Sequence, residues 1–99
     1  MGHYVVTAVR FDKDGEVEFV QWARTDGVAT ESERQLQVVP VDRVVEAFDR
    51  ADTVNMRFPT THGHVSEQPL IRKVLSGGIE RVKEQQPEPG RMLQDMPAV

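Results

Sequence analysis

One stretch, VDRVVEAFDRA at 41–51, places its apolar residues on a single helical face, and the runs on either side of it alternate instead. At about 100° per residue Val41, Val44, Val45, Phe48 and Ala51 share one side, and Asp42, Arg43, Glu46, Asp49 and Arg50 share the other. A three-turn amphipathic helix is not stable by itself in water, so an apolar surface must cover its stripe. The alternating runs are that surface. Pro40 before the helix suits its first turn, and Asp42 sits favourably at its positive dipole end.

His3–Phe11 alternates, with Val5, Val9 and Phe11 on one side and Tyr4, Val6 and Ala8 on the other. Asp12-Lys13-Asp14-Gly15 follows, and Asp-Gly between two such runs predicts a hairpin turn rather than a calcium loop, whose glycine and later glutamate would fall elsewhere. The second strand spans about Glu16–Arg24. In it Val17 and Phe19 share one parity while Val20 and Trp22 share the other, so either both faces are partly buried or a bulge shifts the register. Thr25–Arg34 reads as a loop and Gln35–Val39 as a short third strand ending at Pro40. After the helix, Thr53–Phe58 sets Val54, Met56 and Phe58 against Asn55 and Arg57, and Thr60–Pro69 reads as a loop.

Leu70–Gln85 admits two readings. As a helix it places Leu70, Ile71, Val74, Leu75, Ile79 and Val82 on one broad face, but Gly77-Gly78 in its middle would cost roughly 2 kcal/mol relative to alanines. As a hairpin, with strands 70–75 and 79–83, it uses the glycines in the turn, and this reading is favoured. The expectation is one α+β domain over residues 1–85, a largely antiparallel sheet of five or six short strands packed by one main helix. Residues 86–99, with Pro87, Pro89 and Gly90, read as an extended or mobile tail that Leu93 and Met96 could dock.

The opening V-V-T-A-V-R-F-D-K-D-G-E-V (Val5–Val17), the central helix running into a strand, the glycine pair and the closing M-L-Q-D-M-P (Met92–Pro97) resemble a family of small bacterial domains of unknown function. Its members begin with an A-V-R strand and an acidic-glycine turn and finish with an Asn-Leu-x-x-Leu-Pro-like segment. Met92 and Met96 stand here where Asn and Leu are usual. The resemblance implies a strand-rich α+β domain and a packed tail, and no activity that transfers residue by residue.

The 38% hydrophobic and 28% charged residues are ordinary for one globular domain. The absence of cysteine removes disulfides and thiol chemistry, and with no signal-like segment it sets the cytoplasm as the expected location. No apolar run reaches the roughly 20 residues of a membrane span. The net charge is −4 and residues 1–50 are the acidic half, which counts against a nucleic-acid partner.

His62-Gly63-His64 is the best metal candidate, since H-x-H on a strand aims both imidazoles one way, with Glu67 the nearest carboxylate and His3 far off in the chain; a solvated turn is the plainer reading. Trp22, Tyr4, Arg24 and Arg57 would form an aromatic and basic platform for a peptide or single-stranded nucleic acid if their strands were adjacent and faced outward. Asp42, Glu46 and Asp49 share a helix face with Arg43 and Arg50 and read as a solvated surface. No nucleophile or phosphate-loop motif is present, and no residue set calls for a cofactor. The leading reading is therefore a non-enzymatic interaction module whose edge strand pairs with a partner protein or a second copy. The competing readings are a small metal-dependent enzyme using His62 and His64, and a weak single-stranded nucleic-acid binder.

Overall fold

A computed structural model describes residues 2–25, 36–59 and 65–99. Among the described residues the strands are β1 (His3–Phe11), β2 (Val17–Arg24), β3 (Gln37–Pro40), β4 (Thr53–Pro59), β5 (Val65–Val74) and β6 (Glu80–Glu84), with an α-helix, α1 (Val41–Asp49), between β3 and β4. They form a six-stranded sheet in the order β3-β2-β1-β4-β5-β6, antiparallel throughout except where β1 meets β4. This is the α+β architecture that the helical stripe and the alternating runs require.

The mixed parity of β2 has a local cause. Register shifts lie between Val6 and Ala8 on β1, and at Glu18 on β2, where Arg10 pairs with Phe19 but Phe11 with Val17. Each bulge lets residues three apart face the same way. Val6 and Val9 on one strand, and Val17, Val20 and Trp22 on the other, therefore all enter one core with Val54, Met56 and Phe58 of β4. The turn between the strands is held by Asp12, whose carboxylate accepts from the amides of Asp14 (2.8 Å) and Glu16 (3.0 Å).

Helix α1 lays Val41, Val44, Val45 and Ala47 against the sheet, with Phe48 half-buried beside them. It stops at Asp49, two residues short of the expected end, because Ala51 adopts a left-handed φ of 62° and is exposed. The amide of Ala51 then reaches the carbonyl of Phe48 (3.0 Å) and that of Asp52 the carbonyl of Ala47 (2.9 Å), the Schellman pattern that closes helix ends.

Leu70–Gln85 folds as the hairpin: β5 and β6 pair from Leu70–Glu84 to Val74–Glu80, and Gly77 and Gly78, at φ of 82° and 78°, make the turn that L-residues resist. The expected loop Thr60–Pro69 needs correcting, because β5 already begins at Val65 and pairs with β4 through Pro69. Pro69 is tolerated inside this long strand because it sits where pairing changes from β4 to β6. It has no amide to offer there, and its carbonyl accepts from Gln85 (3.0 Å).

The segment after β6 returns across the molecule. Leu93 and Met96 are 5% and 7% exposed and belong to the core, and the Leu93 amide donates to the Glu84 carboxylate (2.8 Å). Beyond them the chain runs beside the second half of β1, where β4 no longer pairs: Val9 donates to the Pro97 carbonyl and accepts from the Val99 amide, each at 3.0 Å. No helix among the described residues is long and apolar enough to cross a membrane.

Candidate functional site: an uncharged sheet edge and an aromatic hollow beside it

The sheet has two edges of opposite character. β6 carries Glu80, Arg81, Lys83 and Glu84, the charges that discourage strands from pairing edge to edge. β3 is Gln37-Val38-Val39-Pro40, without a charge. Its pairing with β2 sets Gln37 against Trp22 and Val39 against Val20, so these two face the helix side, and Val38, opposite Gln21, faces the other side. Val38 is 54% exposed, and Leu36 just before the strand is 42% exposed. The expected edge strand is thus present over Gln37–Pro40, while Gln35, its expected first residue, lies outside the described residues.

On the helix side of the same edge, Tyr4 and Trp22 stack with centroids 4.2 Å apart and planes 19° from parallel. Register explains the contact: Tyr4 pairs with Arg24 and Val6 with Trp22, so the two rings are diagonal neighbours on one face. Trp22 is 7% exposed and Tyr4 half-buried, so the pair is a wall of the core with one flank open. An open hollow of about 260 Å³ lies against it, bounded by Gln37, Val39, Arg43, Glu46 and Arg50. A second, of about 200 Å³, runs to Ala23 and Arg24. The sequence-predicted platform is therefore divided. Tyr4, Trp22 and Arg24 come together, whereas Arg57 alternates with buried Met56 and Phe58 and so lies on the opposite face of the sheet.

There Arg57 belongs to a polar cluster. Glu67 accepts from Asn55 Nδ2 (3.1 Å), meets His3 Nε2 at 3.2 Å and lies 3.7 Å from Arg57, while His3 Nδ1 contacts the Thr53 hydroxyl at 2.5 Å. Burial pushes the Glu67 carboxyl up, but the hydrogen bonds from Asn55 and His3 and the charge of Arg57 outweigh it and hold the group below its ordinary value. Asp52 is likewise lowered, first by the Gly2 amide, 2.6 Å from its carboxylate, and then, against some desolvation, by Arg50. The hydroxyl–imidazole–carboxylate order of Thr53, His3 and Glu67 has the sequence of a relay, yet none of the hollows described above adjoins it. It reads as a surface network of ion pairs and hydrogen bonds.

His62 and His64 lie outside the described residues, and among those described no three metal-ligating side chains gather. Of the acidic helix residues, Asp49 is engaged by Arg72, and Asp42 and Glu46 border a shallow depression with Ile79 and Glu80. Arg43 and Arg50, which complete the hollow, were visible only as charges on the solvent face of α1. Their seven-residue spacing puts them two turns apart on one helix flank, the one signal that could have joined them. Comparison of the chain with protein-family models, with curated proteins and with solved structures gave no match.

Proposed function

We propose that this is a non-enzymatic interaction module that recruits a protein partner by strand addition at β3. The observation that carries the reading is the asymmetry of the sheet: charge guards β6, whereas Gln37–Pro40 offers an uncharged edge with Leu36 and Val38 exposed beside it. In such pairing main-chain hydrogen bonds supply affinity, and alternate side chains supply specificity. Four residues, the last without an amide, make a small contact, so the complex is transient unless further surface joins it. The cysteine-free sequence and the resemblance to small bacterial domains support a place in the bacterial cytoplasm.

The test combines sedimentation of the pure protein over a concentration series with amide correlation spectra recorded in a macromolecular extract of bacterial cells. Association by either route, with β3 amides broadening first, is expected to vanish in Val38→Pro and to fall sharply in Val38→Lys. The lysine variant keeps the strand's own hydrogen bonds, and an unchanged melting temperature shows that it folds. Association that survives both substitutions would sink the reading.

A further inference from the structure

Strand pairing at β3 leaves the Tyr4–Trp22 hollow without a task, and three properties of that hollow define what it would hold. The first is aromatic surface: the stacked pair borders both depressions. The second is charge. Arg24, Arg43 and Arg50 line the two hollows, where Glu46 is the acidic residue among the described lining and Asp52 is bonded to Arg50. Arg50 uses its Nε on Asp52 (3.2 Å), and Arg43 comes no nearer to Glu46 than 4.0 Å, beyond a hydrogen bond. A guanidinium has five N–H donors, so both side chains, each more than half exposed, retain donors for an anion. The third is size. At about 260 Å³ the larger hollow falls below the roughly 300–1,000 Å³ of sites for drug-sized molecules. Its occupant must be small.

We propose that this hollow binds a small aromatic anion, one flat ring system bearing one or two negative charges, the chemistry shared by nucleoside monophosphates and aryl carboxylates. The ring lies along the Tyr4–Trp22 stack, a sequence-tolerant platform for a flat π-system. The anionic group meets Arg43 and Arg50, and Gln37 and Glu46 supply polar atoms for the ring edge. A polynucleotide fits less well, because the acidic half of the chain, residues 1–50, holds this hollow and would repel further phosphates. The site shares Gln37 and Val39 with β3 but uses their helix-side faces and not Val38, so the Val38 variants test strand addition and the Arg43 and Arg50 variants test the hollow.

Trp22 is the protein's only tryptophan, so its emission reports from inside the hollow. The intact protein is titrated with adenosine monophosphate and with benzoate, and then with adenosine and with inorganic phosphate as the separated halves. Saturable quenching by either anion, at least about tenfold weaker with either half, is the expected result, and which anion binds tells a phosphate ester from a carboxylate. Arg43→Gln and Arg50→Gln should each weaken binding about tenfold, the loss of one charge-assisted hydrogen bond, with the melting temperature unchanged. Three results would overturn the proposal: no saturable response to either anion, binding undiminished in the double variant, or an oligothymidylate bound a hundredfold tighter with steep salt dependence. The last would make nucleic acid the ligand.

Discussion

Replacing Leu93 by alanine asks whether the last segment is part of the fold. Leu93 is 5% exposed and packs in the same core as Val82 and Met96. Buried Leu→Ala changes cost about 2–5 kcal/mol, the transfer term plus the cavity left behind. The site lies in a short 3-10 turn that can partly collapse, so a value near 3 kcal/mol is expected. In a domain of this size each kcal/mol lowers the melting temperature by about 4–8 °C, which places the fall at about 12–24 °C. Urea unfolding followed by circular dichroism reads the same quantity as a lower midpoint at unchanged slope. Leu36→Ala is the internal control: same chemistry, but 42% exposed, and expected within about 0.5 kcal/mol of the parent. A Leu93→Ala loss no larger than that of Leu36→Ala would refute the docking of residues 92–99.

Two further outcomes follow from local geometry. Ala51→Gly should stabilise by about 0.5–1 kcal/mol, because an L-residue at φ 62° carries a left-handed strain of about 1–2 kcal/mol that glycine lacks, offset in part by glycine's greater unfolded entropy; a lower urea midpoint would contradict it. Glu67, held below its ordinary value of 4.5, favours the folded state in its charged form; that contribution is complete above 4.5 and is lost as pH falls through the lower folded value, so Glu67→Gln should flatten the acid limb of stability against pH, measured by urea midpoints below about pH 5, and Asp52→Asn should flatten it further.

The helix was legible because Val41, Val44, Val45 and Phe48 repeat at its period, and the β5–β6 hairpin because only a turn makes use of Gly77 and Gly78. The bulges were half legible: valines three apart in β1 and β2 break alternation, but which strand yields depends on the partner across the ladder. The first half of β5 was not legible, since Val65-Ser66-Glu67-Gln68-Pro69 has a single apolar residue and becomes a strand by pairing with β4. The hollow was legible in its Tyr4, Trp22 and Arg24 wall, while its Arg43 and Arg50 rim and the His3 cluster were hidden for another reason. Tyr4, Trp22, Gln37 and Arg43 lie on four elements, and His3 meets Glu67 across 64 positions of sequence, separations that no local pattern encodes.

The seam between β1 and residues 97–99 also sets a timetable. When the ribosome has made β1, the strand that will cover its second half still lies roughly 90 residues in the future, some 4–18 s away at about 5–20 residues per second. Until then the backbone from Val9 onward is an open edge in the nascent chain, with half-exposed Phe11 at its end. Closure is a contact between segments about 90 residues apart, the kind of long-range pairing that slows folding. The time between synthesis and closure is therefore when a chaperone has an accessible strand to hold, and when two nascent chains on neighbouring ribosomes have most opportunity to exchange residues 97–99.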